Sequence, residues 1–444
     1  MPRRHRLLIP LALTLVALAP LTGCEIERST STRRGIPLRS GPVAPLQLPQ
    51  GPLAQPTDPA ASTSSQAKVE MLPLGQVAYD GLTLPLVSPD GRWLAAQVGS
   101  PPSDAAILGL PGALMPADSK ILIYDLTARP LSLVAEVREP GLRLGRSADA
   151  TGFLVESPTP DGTRRLGFVS WRSAEVRWIV SDDWCNAHAI LLTDGAIAYS
   201  RRPIESGEKH NSQLVVRTSQ GDDSVFADPT VDLVFPAAAA DPAVLAVLGA
   251  DDAGRAVAIT VQRENAQSLR RTGQLDLGPG GLPTAYQAIV GAQPAPTDAA
   301  ADDPMRAVVL MFNPLAGGIV LLDASAGKSL GSFRGTIGAA FVPVAQPPSI
   351  VRPERPTLEL VLSGPNGLQA ATPGRSDQGL FRAGVRTLLE GSSTVVPLIT
   401  GSTLAAMLPS PSSTAPRLRI IRILIGEQNP IIQLPGTENE GRVR

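Results

Sequence analysis

Short apolar runs separated by turn-forming residues recur along the chain from about residue 72 to residue 434. The clearest unit is the motif Ser88-Pro89-Asp90-Gly91, which leads into a strand of alternating, mostly apolar residues at 92–98. Proline presets the first turn dihedral and glycine accepts a positive one, so the chain reverses direction at this motif. No long apolar stripe at helical spacing occurs in this region. The pattern therefore predicts an all-β fold.

The apolar runs come in pairs, and the pairs repeat at a spacing of roughly fifty residues, which is the range of propeller blades. The first strands of the pairs lie in residues 88–98, 147–155, 192–199, 244–248, 307–312, 358–362 and 403–408. We therefore predict a β-propeller of seven blades, with six or eight blades as alternatives. Two stacked β domains, split near residues 291–303, are a further alternative.

The motif at residues 88–95 carries a family resemblance. It is similar to the S-P-D-G turn of TolB-type propeller repeats, which also occurs in the propellers of prolyl-oligopeptidase-like enzymes, and residues 193–200 are a degraded copy of it. The resemblance implies a ring of WD40-like blades and contacts with envelope proteins. We interpret Ser88, Pro89, Asp90 and Gly91 as a structural turn rather than a binding site.

The composition supports many short strands joined by turns. The chain has 41 Gly and 44 Pro, while 43% of its residues are hydrophobic and only 18% are charged. Its formal net charge of -1 offers no basic face for nucleic acid, and aromatic residues make up only 4%. We therefore expect no nucleic-acid partner.

The N-terminal residues have the order of a bacterial export signal. Arg3, Arg4 and Arg6 precede an uncharged apolar run at residues 7–21, which is short for a membrane span and suits a signal-peptide core. The run ends in Leu21-Thr22-Gly23-Cys24, which resembles the lipobox of bacterial lipoproteins. The resemblance implies lipidation of Cys24 and a membrane anchor facing the periplasm or exterior. An ordinary signal peptide with an unrelated cysteine is the alternative.

The predicted organisation is a signal peptide at 1–23, a lipidated cysteine and disordered tether at 24–70, a propeller at 71–436 and a disordered tail at 437–444. The tether is rich in Pro, Ser, Thr and Ala, and such a segment buries too little apolar surface to offset its ordering entropy.

Two local patterns suggest chemistry. Cys185 and His188 have the spacing of metal ligands, but a structural zinc site needs four ligands and a catalytic one usually three. We predict no metal and no cofactor, with Cys185 as a packed or free thiol. Residues 327–331 fit the G-x-S-x-G pattern of a nucleophile elbow, but no helix is predicted after Ser329, so a hairpin is the better interpretation.

No complete catalytic signature is present. We predict an envelope lipoprotein whose propeller is a non-enzymatic platform for a protein or glycan partner. An extracytoplasmic propeller enzyme that acts on a saccharide or peptide at the channel mouth is the alternative.

Overall fold

The fold is taken from a computed structural model. It describes residues 68–80, 83, 85–204, 212–238 and 241–279, and from residue 289 onwards only the strands given below. The predicted signal peptide, Cys24, almost all of the predicted tether and the predicted tail lie outside the described residues.

The described strands number 28, and one short helix, α1, spans Asp104–Ile107. The strands of the first half are β1 (Lys68–Ala78), β2 (Leu86–Val87), β3 (Trp93–Val98), β4 (Lys120–Asp125), β5 (Ser132–Val137), β6 (Arg143–Ala148), β7 (Gly152–Pro158), β8 (Arg164–Ser170), β9 (Val176–Val180), β10 (Trp184–Leu191), β11 (Ile197–Pro203), β12 (Gln213–Arg217), β13 (Asp223–Phe226) and β14 (Val231–Ala238). Those of the second half are β15 (Val244–Asp251), β16 (Arg255–Asn265), β17 (Ser268–Pro279), β18 (Ile289–Val290), β19 (Ala307–Phe312), β20 (Gly318–Asp323), β21 (Lys328–Arg334), β22 (Gly338–Pro343), β23 (Leu358–Gly364), β24 (Gly367–Ala371), β25 (Val385–Leu389), β26 (Val395–Leu398), β27 (Leu404–Met407) and β28 (Arg417–Gly426).

The described strands form five antiparallel sheets of four strands and one sheet of eight strands. The sheet of eight consists of two antiparallel groups of four, so we number seven groups of four strands as sheets 1 to 7. Sheets 1 to 6 are β2–β5, β6–β9, β10–β13, β14–β17, β18–β21 and β22–β25. Sheet 7 consists of β26, β27 and β28, with β1 as its fourth strand. One parallel bridge, between Arg164 and Cys185, joins sheets 2 and 3.

The sheets follow one another around an axis. Contacts pass between the first strands of successive sheets, from β2 to β6, to β10, to β14 and to β18, and again from β22 to β26. The N-terminal strand β1 pairs with the C-terminal strand β28 along its whole length, from Lys68 with Gly426 to Ala78 with Arg417. The fold is a β-propeller. The predicted all-β propeller class is confirmed.

All described residues belong to one compact unit, Arg34–Arg444, so the alternative of two stacked β domains is wrong. The strand β1 begins at Lys68, slightly before the boundary predicted between tether and propeller. In the described part of the chain, no helix is long and apolar enough to span a bilayer.

Apolar side chains pack between neighbouring sheets. Between sheets 1 and 2 the core contains Trp93, Ile123, Val155 and Trp171, all nearly or fully buried. Gln97 adds a polar link between the same sheets, because its side chain donates to the carbonyl of Leu142 (2.9 Å) and accepts from the amide of Leu144 (2.7 Å). Both hydrogen-bonding functions of this fully buried amide therefore hold β3 to the start of sheet 2.

The recurrent aspartates of the turns serve the fold. In the 88–91 turn Asp90 accepts from the Ser88 hydroxyl and from the amide of Arg92, and Gly91 takes a positive φ of 68°. The same bond, from the amide two residues later to an aspartate carboxylate, occurs at Asp125, Asp149, Asp161, Asp194, Asp228, Asp241 and Asp251. These turn aspartates cap local backbone groups, as expected for Asx turns.

The G-x-S-x-G pattern lies in a hairpin. Ser329 belongs to β21, which pairs antiparallel with β20, with Asp323 opposite Lys328. A nucleophile elbow needs a helix after the serine. The strand therefore excludes that arrangement, in agreement with the sequence-based interpretation.

Candidate functional site

The connection between β3 and β4, residues 99–119, reaches from sheet 1 over the edges of sheets 2 and 3, and we call it the strap. Its helix α1 begins after Ser103, whose hydroxyl accepts from the amide of Ala106 (3.2 Å). Three side chains of the strap itself are almost completely buried, those of Ile107, Leu108 and Met115. Burial of side chains of this size stabilises the docked strap by about 1.5–3 kcal/mol each.

Three backbone carbonyl groups of the strap accept hydrogen bonds from sheets 2 and 3. The Nε2 atom of His188 lies 2.8 Å from the carbonyl oxygen of Leu108, and Cys185 Sγ donates to that of Gly109 (3.3 Å). Arg164 Nη2 donates to the carbonyl of Ala113 (3.3 Å). The strap is thus held by side chains that come from two different sheets.

The strap backbone approaches β10 closely at Gly109. This glycine has a φ of +69°, and a Cβ added to it would lie 2.6 Å from the Cβ of Ala187 and 3.0 Å from Nε2 of His188. Only glycine fits at this position, because the conformation and the lack of space both exclude a side chain.

The first strands of sheets 2, 3 and 4 each carry a β-bulge. The ladder register shifts after Leu144 in β6, after Ala187 in β10 and after Leu233 in β14. His188 lies in the second bulge with a φ of 60°, which is unusual for a residue with a side chain. Because bulges re-aim side chains, this one turns His188 away from the ladder and toward the strap.

Glu156 is the centre of a buried polar cluster beneath the strap. Its carboxylate accepts from Arg143 Nη1 (3.0 Å), Arg164 Nη1 (2.8 Å) and the backbone amide of His188 (2.7 Å). Glu156 is 1% exposed and Arg164 fully buried. We call Arg143, Glu156, Arg164 and His188 the Glu156 cluster. It joins three strands of sheet 2 to the first strand of sheet 3.

The charges of the cluster determine its protonation. Burial works to raise the pKa of Glu156, but the guanidinium groups of Arg143 and Arg164 lower that pKa to about 2. Burial lowers the pKa of His188 well below 6.5, and Arg143 and Arg146 act in the same direction while Glu156 opposes them. At neutral pH the carboxylate is therefore ionised and the imidazole is neutral.

His188 also contacts the first strand of sheet 4. Its ring lies 4.2 Å from the ring of Phe235, centroid to centroid, and the guanidinium of Arg146 lies 5.4 Å from the same phenyl ring. Together with Leu108, these residues surround the imidazole with groups from sheets 1, 2 and 4. Its Nδ1 atom is buried and has no hydrogen-bond partner among the described residues.

Cys185 and His188, the pair with ligand-like spacing, lie under the same stretch of strap. Their sulfur and Nε2 atoms are directed at the carbonyl groups of Gly109 and Leu108. Burial raises the pKa of the Cys185 thiol, which is free and buried. Within the described residues, no three His, Cys, Asp or Glu side chains are grouped so that they could hold a metal ion.

Large apolar side chains are exposed on two surfaces of sheet 1. Leu133 (54% exposed) and Val134 (46%) lie on its outer strand β5, and Leu114 (46%) lies on the strap. Val134 is the extra residue of a bulge, because Ile123 pairs with Ala135 and Tyr124 with Leu133. A bulge of this kind blunts the edge against further strand pairing.

Sequence reasoning singled out two residues of this region and missed the rest. It found Cys185 and His188 through their spacing, but not Glu156, Arg143 or Arg164. Arg143 and Glu156 are directly opposite in the β6–β7 ladder, so a correct register would have paired them. No local signal links the strap to β10, since Leu108 and His188 are 80 positions apart.

The sequence matches no protein-family model and no curated protein. Solved structures with a similar fold include TolB from Acinetobacter baumannii (16% identity, 46% of each chain, TM-score 0.33). They also include a chain of the Mitotic Checkpoint Complex (11% identity, 81% of this chain and 96% of that chain, TM-score 0.45) and the WD40 β-propeller domain of Doa1 (10% identity, 79% and 96%, TM-score 0.44). The matched region spans about half the length of TolB.

Proposed function

We propose that this chain is a non-enzymatic protein-binding propeller, held at a bacterial membrane by lipidated Cys24 and displayed on the tether. In this proposal each sheet of four strands is one blade, which gives seven blades. Residues 1–23 are the export signal, Leu21-Thr22-Gly23 is the lipobox, and the propeller faces the periplasm or exterior. Its partner is an envelope protein or glycan.

The proposal of a non-enzymatic role rests on the burial and hydrogen bonding of the reactive side chains near the first strands. Glu156, Cys185 and His188 are buried, and each is committed to a hydrogen bond with backbone or with a neighbouring guanidinium. A general acid, base or nucleophile has to reach its substrate. Cys185 and His188 contact the strap instead, and Glu156 binds two arginines and the backbone amide of His188, so all three act as structural contacts.

The shape and surface of a propeller support the proposed role in binding a partner. Its loops are carried by rigid sheets, and positions on such loops are suited to recognition. Leu114, on the strap, and Leu133, on the rim of sheet 1, present apolar surface to solvent.

The anchor is tested on the full chain and a Cys24→Ala variant expressed in bacteria. We expect the wild-type chain in the membrane fraction with a diacylglyceryl mass on Cys24, and the variant without that mass in the soluble fraction. A matched Cys185→Ala variant is expected to remain in the membrane fraction. Unmodified Cys24 in a chain that is already soluble would contradict the anchor.

The binding role is tested by site-specific photocrosslinking in the same cells. A photoreactive amino acid replaces Leu114 or Leu133, and exposed Arg172, in the β8–β9 turn, provides the matched control position. We expect discrete adducts with an envelope component at position 114 or 133 and none at 172. Absence of adducts at both positions, together with turnover of a saccharide or peptide substrate by the purified chain, would overturn the proposal in favour of the enzyme.

A further inference from the structure

The contact between His188 and the strap fixes the proton on one ring nitrogen. The acceptor is the carbonyl oxygen of Leu108, which has no proton to give, so Nε2 must carry the hydrogen in the neutral ring. The second nitrogen, Nδ1, is therefore the site for an additional proton. It is buried and has no hydrogen-bond partner among the described residues.

The surroundings of the ring disfavour that second proton. Arg143 and Arg146 approach from β6, while Arg164, from β8, binds the carboxylate of Glu156. The carboxylate of Glu156, from β7, favours a protonated ring, but the same carboxylate already pairs with Arg143 and Arg164. From β14 the ring meets Phe235, and from the strap it meets the backbone of Leu108. While the strap is docked, a proton on Nδ1 has no acceptor among the described residues.

We propose that the strap is a proton-controlled latch, which is docked while His188 is neutral and is released from sheets 2 and 3 when Nδ1 takes up a proton. Release hydrates the imidazolium and leaves the carbonyl groups of Leu108, Gly109 and Ala113 free of their side-chain donors. It also uncovers the Glu156 cluster. Mild acid therefore raises the fraction of molecules in which the surface beside the first strands is uncovered.

The size of the effect follows from linkage. With the strap open, His188 titrates near its ordinary pKa of about 6.5, and with the strap docked its pKa lies well below that value. A drop from pH 7.5 to pH 5.5 then raises the population of the open strap about tenfold. Strap opening is a local event and leaves the sheets paired.

The test is amide hydrogen exchange of the full chain at the two pH values, with protection factors corrected for the pH dependence of intrinsic exchange. We expect protection of residues 103–115 to fall about tenfold at pH 5.5, while protection of β15 and β16 stays constant. His188→Gln places an amide donor within reach of Leu108 and cannot titrate, so its strap protection is expected not to depend on pH. His210→Gln, which alters the other histidine outside the signal segment, is expected to behave like the wild-type chain.

Constant strap protection in the wild-type chain, or an equal pH effect in His188→Gln, would overturn the latch. If His188→Gln does not fold, a full pH titration of the wild-type strap decides the matter. Protection that begins to fall near pH 6.5, and does so also in His210→Gln, supports the latch, and protection that stays constant down to about pH 5 refutes it.

Discussion

Glu156→Gln tests how the Glu156 cluster is held together. The substitution keeps the shape of the side chain but removes the negative charge, and it leaves the buried guanidinium groups of Arg143 and Arg164 without a counter-ion. Removal of one partner from a buried ion pair typically costs about 3–5 kcal/mol of unfolding free energy. The oxygen of the substituted amide side chain can still accept a hydrogen bond from an arginine. We therefore expect a loss of unfolding free energy near the lower end of that range.

The loss is large enough to measure as a melting temperature. A propeller of roughly 360 residues has an unfolding entropy near 0.8 kcal/mol/K, so each 1 kcal/mol lowers the melting temperature by about 1.3 °C. We therefore expect Glu156→Gln to melt roughly 4–5 °C below the wild-type chain. Tryptophan fluorescence is a suitable probe of this melting, because all four tryptophans of the chain lie in sheets 1 to 3 or in their hairpins. They are at positions 93, 171, 178 and 184.

Glu136→Gln is the matched control. Glu136 forms a salt bridge with Lys120 at 2.9 Å, but both side chains are about half exposed. A pair of this kind contributes only about 0–1 kcal/mol, so the control is expected to melt within about 1.5 °C of the wild-type chain. If Glu156→Gln melted no lower than Glu136→Gln, the assignment of Glu156 as the counter-ion of Arg143 and Arg164 would be refuted.

Three further predictions concern the same region. Gly109→Ala is expected to lower the melting temperature by several degrees more than Gly112→Ala, since both glycines have positive φ but only Gly109 lacks space for a Cβ; equal losses would contradict the close approach. Because the folded pKa of Glu156 is lowered to about 2, its contribution to the unfolding free energy is complete above the unfolded pKa of about 4.3 and is lost as pH falls toward 2. In thermal melts from pH 6 to pH 3, Glu156→Gln should therefore lose less stability than the wild-type chain. Cys185 is expected not to react with a maleimide at pH 7.5 until urea unfolds the propeller, because burial protects the thiol and raises its pKa; rapid labelling of the native chain would contradict this.

The sheets were predictable from sequence because their pattern is local. The apolar runs at 121–126 and 131–137 became β4 and β5 almost residue for residue, and the 88–91 turn formed its Asx bond. Such elements depend on alternation and turn chemistry within a few residues. The repeated spacing then predicted the propeller class.

The cluster beneath the strap was not predictable in the same way. Its contacts depend on ladder register, on three bulges and on a loop that crosses to another sheet. The bulge that turns His188 toward Leu108 leaves no mark in the alternation of β10, where the neighbours are also buried. A single sequence shows the residue types but not the register that brings them together.

The pairing of β1 with β28 has a consequence for biogenesis. Lys68 finds its partner Gly426 only when roughly 360 further residues have been made, and contacts of such high sequence separation form slowly. At about 5–20 residues per second, β1 waits some tens of seconds during synthesis before its partner strand exists. An early strand without its partner offers unpaired backbone to other chains. Efficient production of this protein therefore depends on whatever shields its first strand until the last one emerges.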